Sequence, residues 1–360
     1  MNFDFSSEQR AFAQSLERKL AQVCPRSAVR DAIAAGTGRH EPTWRALADL
    51  GALGCAIPED YGGHGFGALE LALAAEQIGS ALAPVPANAS IYAFALTMLH
   101  EGSARQTATW LPAITRGEIV GTFHFGTGLR ARSCKISGRA SPVPDGVDAT
   151  VAIVLCDDES GRSLYLTELR HASRRALDGL DPSKPLAELT FDGVDAEPLG
   201  QNGAGDAAAQ RAIQRAVTLL AFEQIGGAHA ALMTARDYAL ERRTFGRAIG
   251  SYQAVKHKLA DAWVRIELAR VHAYYAAWAL ATEAPDFPLA SAAARASATE
   301  AFLVAARESL HVHGGIGFTW DADCHLFYRR ARALAAVFGS AAQWRECLAE
   351  RIARGERAMK

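Results

Sequence analysis

The stretch from Arg242 to Asp261 carries the side chains best suited to chemistry, because it places a fixed cation, a tight turn and a side-chain amide between two helical segments. The guanidinium of Arg242 offers planar, permanently charged donors that match a pyrophosphate. Gly246 and Gly250 allow sharp backbone turns, and Gln253 can donate to and accept from the edge of a heterocycle. The stretch therefore predicts a site for a charged, nucleotide-like ligand, with Arg242 and Gln253 at its opposite ends.

A second glycine-rich stretch runs from His311 to Trp320 and reads His-Val-His-Gly-Gly-Ile-Gly-Phe-Thr-Trp. Its glycines directly follow an apolar helical pattern, so exposed backbone N–H groups could cradle a phosphate. A Gly-Gly pair also ends helices that bind nothing, and the first stretch alone is compatible with a helix-loop-helix that carries surface arginines. The two stretches together favour a cofactor-binding surface.

Both stretches lie within a helical C-terminal region. After Gly200 the chain is rich in alanine, and its apolar residues recur with helical spacing. The pattern predicts long helices over about 207–241, 253–282, 289–312 and 321–354. Four long helices fit a bundle.

The rest of the chain divides into a helical part and a strand-rich part. Ser6 followed by Gln9 predicts a capping box for a first helix that continues to about Val23. From Ile119 onward, short apolar or alternating runs stand between glycines and prolines, and they predict a small β domain. The predicted order is a helical domain, a β domain and a four-helix bundle.

Composition limits the class of protein. The chain has 360 residues, 49% of them hydrophobic, which suffices for a large core divided into two or three subdomains. The formal net charge of −1, with mixed signs along the helices, argues against nucleic-acid binding. The six cysteines show no metal-ligand spacing, which indicates a reduced, cytoplasmic protein without a metal site. No apolar run approaches the ~20 residues of a membrane span, and the first residues carry no targeting signal, so we expect no span.

The two glycine-rich stretches and their order resemble the C-terminal half of the acyl-CoA dehydrogenase family, flavoenzymes that oxidise acyl-CoA thioesters to enoyl-CoA. Motifs similar to that family's helical domain occupy residues 5–10, 44–54, 57–65 and 76–79. The resemblance implies a mainly α fold with a middle β domain. Its expected domains are an N-terminal helical domain over 1–118, a small β-barrel-like domain over 119–203 and a C-terminal four-helix bundle over 204–360.

The resemblance also implies FAD as cofactor and a set of residues that hold it. In chain order these are Arg242, Thr244, Phe245, Gln253, His311, Gly314 and Gly315. The first three match the stretch at the flavin's pyrophosphate and adenine side, the glutamine matches the one that follows that stretch, and the last three match the glycine-rich contact. In the family these groups reach FAD from a neighbouring subunit, so at least a dimer is expected. An acyl-CoA substrate and electron transfer flavoprotein as electron acceptor follow from the same resemblance.

Removal of the α proton of a thioester needs a carboxylate base, and neither of the family's base positions carries one here. The usual position, just before a Gly-Thr/Ser turn, is Phe338, and the rarer one, near the start of the first bundle helix, is Ala216. Glu223 is the nearest substitute, but it lies about 10 Å farther along the helix axis than Ala216. The competing interpretation of Glu223 is a buried acid paired with an arginine. The base remains unassigned.

The middle domain is short, and the family's usual contact with flavin and thioester is replaced by residues 121–130. Thr122 and His124 could take over part of that contact, although a histidine in a strand is more often a half-exposed filler. The acyl group itself cannot be predicted, because its pocket is assembled from several helices.

The missing base beside a complete set of cofactor residues favours a subunit of an α2β2 complex. The chain resembles the short subunits of bacterial heterotetrameric acyl-CoA dehydrogenases, in which a longer homologue brings the base. Fatty acid or steroid degradation is the expected setting. Three competing interpretations stay open: a self-sufficient homotetramer with an unusual base, a flavin monooxygenase on the same fold, and a non-catalytic interaction protein.

Overall fold

The computed structural model describes residues 5–355. These residues form two compact units. The bundle unit comprises residues 5–29, 68–83 and 217–355, and the sheet unit comprises residues 30–67 and 84–216. The predicted order of helices, strands and helices is confirmed. The division into three domains with limits at 118/119 and 203/204 stays a prediction, and its outermost residues, 1–4 and 356–360, lie outside the described residues.

The helices follow one another with the strands in between. They are α1 Ser7–Val23, α2 Arg26–Ala35, α3 Glu41–Asp49, α4 Ala68–Ala81, a π-helix Ala87–Ala95, α5 Leu96–Glu101, α6 Ala104–Thr115, α7 Gly205–Glu241, α8 Gln253–Ala281, α9 Phe287–His313, α10 Cys324–Leu334 and α11 Ala341–Ala353. The predicted capping box at the start of α1 is confirmed, because the Ser6 side chain accepts from the Gln9 backbone N–H and the Gln9 side chain accepts in return. The sequence pattern missed α2 and α6.

Eight strands of the sheet unit form one sheet. They are β1 Gly121–His124, β2 Leu129–Arg132, β3 Lys135–Pro144, β4 Val151–Asp158, β5 Gly161–Glu168, β6 Ser173–Leu177, β7 Leu186–Asp195 and β8 Glu197–Leu199. The order is β6-β7-β3-β2-β4-β5-β8, with β1 also paired to β4. β1 and β2 run parallel to β4, and the other pairs are antiparallel. Side chains such as Ile136, Val154 and Leu189 fill a continuous apolar core, so the predicted β domain is confirmed.

Two helices of the bundle unit cross with their backbones in contact. A Cβ atom on Gly79 of α4 would lie 1.8 Å from the Glu223 carbonyl oxygen of α7, and one on Gly226 would lie 1.9 Å from the Glu76 carbonyl oxygen of α4. Only a residue without a Cβ permits this approach at either crossing point. The glycine pair therefore fixes where the middle of α7, including Glu223, stands against α4.

The last predicted helix, over 321–354, is wrong as a single element. The structure has two helices, α10 and α11, separated by residues 335–340. Phe338 and Gly339 in this break have φ angles of 59° and 98°, which no helix accommodates. Asp323 stands at the N-cap position of α10, where an acidic residue is favourable.

Helix α7 is 37 residues long and apolar enough to span a membrane by length and composition alone. Within its most apolar window, however, 83% of the residues are buried in the fold. The helix thus has the burial of a core helix, which accounts for its apolar composition.

Candidate functional site

The chain reverses after α7 in a short two-stranded hairpin. Helix α7 ends at Glu241, and strands β9 (Arg243–Thr244) and β10 (Arg247–Ala248) pair antiparallel. Phe245 and Gly246 form the tip with φ angles of 53° and 81°, the left-handed conformation at both central residues that a tight hairpin needs. The Phe245 side chain is 90% exposed. The tip of this hairpin is therefore exposed on the surface of the bundle unit.

The base of this hairpin is held by specific contacts. The Ile249 N–H donates to the Arg242 carbonyl at 2.8 Å. The Tyr252 hydroxyl donates to the Thr244 carbonyl at 2.9 Å, and the Arg247 guanidinium lies 3.9 Å from the centre of the Tyr252 ring. Gln253 begins α8 immediately afterwards. Arg242, Thr244 and Gln253 are all exposed, so each is accessible to a ligand.

The second predicted stretch forms the turn after α9. Gly314 ends this helix with φ 65° and ψ −142°, a conformation that favours glycine. A Cβ atom on Gly314 or Gly315 would meet nothing within 4 Å, whereas one on Gly317 would lie 3.0 Å from the Leu310 carbonyl oxygen. The first two glycines therefore leave open space beside exposed backbone, and the third is closely packed.

The structure brings the two stretches together within the bundle unit. The ring of Tyr238, which lies in the last turn of α7, stacks on the His313 ring. The ring centroids are 4.3 Å apart and the ring planes are 22° apart. The His313 Nδ1 atom lies 2.7 Å from the Ser309 carbonyl oxygen, which fixes the ring against α9. This aromatic pair therefore connects the end of α7, which precedes the β9–β10 hairpin, with the end of α9, which precedes the turn at Gly314.

Glu308 provides a second link at the same surface. Its carboxylate oxygen Oε2 lies 3.3 Å from the Lys258 Nζ atom on α8 and 3.2 Å from the His311 Nδ1 atom. Its other oxygen, Oε1, lies 3.3 Å from the Arg307 Nε atom. Burial raises the pKa of the Glu308 carboxyl, but the His311 and Lys258 contacts lower it more, so the pKa lies below its usual range.

Neither expected position of the base carries an acid, and both positions are well defined. Ala216 on α7 is fully buried. Phe338 lies in the break between α10 and α11, where its carbonyl accepts a 2.9 Å hydrogen bond from the Trp344 indole. The backbone geometry of this break is thus kept in place without a carboxylate.

Arg295, which the sequence analysis missed, holds that break from inside the bundle unit. It is fully buried, and its Nη2 atom donates to the Leu334 and Val337 carbonyls, both at 2.7 Å. Its Nη1 atom donates to the Gln224 amide oxygen at 2.7 Å. Burial lowers the pKa of Arg295 to about 9, so the guanidinium keeps its charge near neutrality. An arginine among the alanines of the first half of α9 was the sequence feature that could have revealed it.

Glu223 is paired with a buried arginine, as one of the two interpretations of this residue expected. Its side chain is fully buried, and its Oε1 atom lies 3.8 Å from the Arg330 Nη1 atom. Arg330 also donates to the Leu82 carbonyl at 3.1 Å and the Ala83 carbonyl at 3.4 Å, beyond the end of α4. The pair therefore joins α7, α10 and the end of α4.

Thr122 and His124 turn their side chains into the sheet unit. Thr122 is fully buried, and its hydroxyl donates to the Pro144 carbonyl at 2.5 Å. His124 is 7% exposed, with its Nε2 atom 3.3 Å from the Thr127 carbonyl oxygen. Burial lowers the pKa of His124 despite this hydrogen bond. The expectation of a half-exposed filler histidine is therefore wrong for His124.

Two family models match the chain. The model of the acyl-CoA dehydrogenase N-terminal domain matches residues 6–118, and the model of the acyl-CoA dehydrogenase C-terminal domain matches residues 203–353. Together they span more than half of the chain.

Individual proteins agree with these matches. The acyl-CoA dehydrogenase IpdE2 of Mycobacterium tuberculosis is 33% identical over 336 residues, which make up 92% of this chain and 93% of that protein. A solved structure of a Tcur3481-Tcur3483 steroid ACAD variant is 28% identical, with a TM-score of 0.86 over 97% of this chain and 98% of its own. The ChsE4-ChsE5 complex from Mycobacterium tuberculosis has a TM-score of 0.91 over 100% of both chains, and at 24% identity it shows the shared fold. The chain therefore belongs to the acyl-CoA dehydrogenase family, oxidoreductases that act on acyl-CoA thioesters.

Proposed function

We propose that this chain is the subunit of an α2β2 acyl-CoA dehydrogenase that contributes FAD-binding residues but no catalytic base. One observation carries the proposal. The bundle unit exposes the full set of residues that match the family's FAD contacts, while the two positions of the family's base are the apolar Phe338 and Ala216. A chain that keeps the cofactor residues and lacks the base needs a second chain for proton removal.

FAD fits the exposed surface chemically. The Arg242 guanidinium suits the pyrophosphate, and the Gln253 amide suits the edge of the adenine. The open space beside Gly314 and Gly315 lets backbone N–H groups approach phosphate oxygens closely. FAD, when bound, supplies the two-electron acceptor for the hydride that leaves the β carbon of the substrate. The residues of this chain bind and orient that cofactor.

Exposed apolar side chains support contact with a neighbouring subunit. Besides Phe245 at the hairpin tip, helix α8 exposes Trp263, Val264, Leu268 and Val271, each between 43% and 64% accessible. A contiguous apolar face of this kind is characteristic of protein interfaces. We assign it to the longer homologous chain, whose carboxylate would take the α proton of the acyl-CoA.

The setting follows from the same proposal. The neighbouring structures include a steroid ACAD and a two-chain complex, which supports fatty acid or steroid acyl-CoA degradation. Electron transfer flavoprotein in the cytoplasm would receive the electrons. The domains at 1–118, 119–203 and 204–360 complete the proposal, with the cofactor residues in the last of them.

Co-expression with a longer homologue from the same operon tests this function. We expect acyl-CoA-dependent reduction of an artificial electron acceptor only from the purified pair, because the base and the cofactor residues lie on different chains. Turnover by this chain alone would contradict the proposal. In that case Glu223→Gln distinguishes the self-sufficient homotetramer, which would lose turnover if Glu223 is its base.

Two further outcomes would point to a different class of protein. Oxygen consumption that accompanies substrate oxidation, without need of an artificial acceptor, would indicate a flavin monooxygenase. Failure of both the chain and the pair to retain FAD would indicate a non-catalytic interaction protein.

A further inference from the structure

We propose that Glu308 is a positioning residue that orients His311 and links the start of α8 to the turn at Gly314 and Gly315. It thereby keeps the proposed FAD-binding residues in their relative positions. The inference rests on the proposed FAD-binding function. Glu308 itself lies on the last two turns of α9 and is 7% exposed, so it acts through its neighbours.

The first step is the hydrogen bond to His311. An ionised carboxylate can only accept, so the 3.2 Å contact with Glu308 Oε2 requires a proton on the His311 Nδ1 atom. This holds for both the neutral and the charged imidazole. The Nε2 atom is then the ring nitrogen left for a ligand, and the His311 side chain is 50% exposed.

The second step is the link between helices. The same oxygen, Oε2, lies 3.3 Å from the Lys258 Nζ atom. Lys258 stands five residues after Gln253, within the first two turns of α8. One buried carboxylate therefore connects the helix that begins at Gln253 with the turn that contains Gly314. Removing its charge releases both segments without exposing an apolar core.

Three basic side chains contact the Glu308 carboxylate. They come from α8, as Lys258, and from α9 itself, as Arg307 and His311. Half or more of each of these three side chains remains exposed. Loss of the carboxylate therefore leaves each cation hydrated, which makes Glu308→Gln a variant that should fold.

A double-mutant cycle on FAD affinity tests the inference in the complex with the partner chain. We expect Glu308→Gln to weaken FAD binding about tenfold, the loss that accompanies one charge-assisted contact. His311→Gln should weaken binding similarly. The double variant should lose less than the sum of the two single losses, because both single variants remove the Glu308–His311 contact and only Glu308→Gln also removes the link to Lys258. Glu300→Gln is the matched control, because this acid lies on the same helix, is half-exposed and pairs with Arg265 and Arg345. The FAD affinity of the complex with this variant should equal that of the unmodified complex.

Additive losses in the cycle, or unchanged affinity in Glu308→Gln, would overturn the inference. If the unmodified complex retains no FAD, the proposed function fails instead, and a second measurement still tests Glu308. Nitrogen-15 spectra of the histidine rings in the chain should show the proton of His311 on Nδ1, and Glu308→Gln should raise the population with the proton on Nε2. A neutral His311 in the unmodified chain with its proton on Nε2 and none on Nδ1 would also overturn the inference.

Discussion

Arg242 is the residue whose assigned role is easiest to isolate. It is exposed beyond the last turn of α7, so its substitution should not disturb the core. We expect Arg242→Ala to reduce the free energy of FAD binding by about 1.5 to 3 kcal/mol, the contribution of a hydrogen bond to a charged group. Isothermal titration of the apo complex with FAD measures the loss.

Arg236→Ala is the control for that variant. Arg236 is also exposed on α7, where its contact is with the adjacent Asp237, so FAD affinity should not change. Equal losses in the two variants would assign the effect to general charge rather than to a specific contact.

Glu223 should be a stabilising residue rather than the base. Glu223→Gln leaves Arg330 buried with a weaker partner, and breaking a buried ion pair costs about 3 to 5 kcal/mol when one charge is stranded. Since Arg330 keeps its two carbonyl acceptors, we expect about 3 kcal/mol, near the lower end of that range. Chemical denaturation measures the stability, and turnover by the folded complex should be retained. Abolished turnover with FAD still bound would make Glu223 the base.

For single residues, the sequence predicted the type of contact a side chain makes, but it did not predict which residue the contact is made with. It favoured an ion pair with an arginine for Glu223, but three arginines, Arg329, Arg330 and Arg332, lie close together on α10. Only the packing of α7 against α10 selects Arg330. Glu308 and Arg295 gave no periodic pattern, because each is a single charge on an otherwise apolar helix face.

At the element scale the crossing of α4 and α7 is the most demanding contact. We expect Gly226→Ala to destabilise the protein by about 3 kcal/mol or more, since overpacking costs of this order arise when the backbone must move. The new methyl group would stand 1.9 Å from a carbonyl oxygen, which is far inside contact distance. The midpoint of urea unfolding measures the effect.

Gly315→Ala is the control for the crossing. Its Cβ atom would meet nothing within 4 Å, and its φ is not among the positive values, so stability should change by less than about 0.5 kcal/mol. A small effect of Gly226→Ala would mean that the two helices can separate without cost.

Long helices were predictable because alanine content and helical spacing persist over many residues. The break at 335–340 was missed, because Ala335, Ala336 and Val337 keep the helical composition. Gly339 and the capping box of Ser340 and Gln343 are the sequence signals that mark it. Tertiary hydrogen bonds from Arg295 on α9 hold this break, and such partners are invisible in local sequence. The sequence pattern also missed the strands β2, β3, β6 and β8. Most residues of β6 and β8 are exposed and show no apolar alternation.

At the scale of the whole molecule, the sequence predicted the family and the order of helices and strands, and both are confirmed. The α2β2 assembly followed only from the resemblance and stays a prediction. The exposed face of α8 and the hairpin tip at Phe245 are the surfaces that we propose for subunit contacts. The apolar residues of α8 lie in a helical pattern that also suits a core, so the sequence could not distinguish a buried face from one that another chain covers.

The absence of a catalytic base at Phe338 also bears on the assembly of the whole molecule. Phe338 occupies a break that Arg295 and Trp344 hold in place, so the local backbone does not depend on an acid there. Under the proposed function, a second chain supplies the carboxylate that removes the α proton.

The visible absorption spectrum of the chain purified alone, taken together with its native mass, tests most directly whether this chain needs a second chain for its FAD site and its base. We predict a colourless or sub-stoichiometric protein that acquires one FAD site per pair of chains when the longer homologue is present. Stoichiometric flavin on a homotetramer of this chain, with turnover of an acyl-CoA, would contradict it.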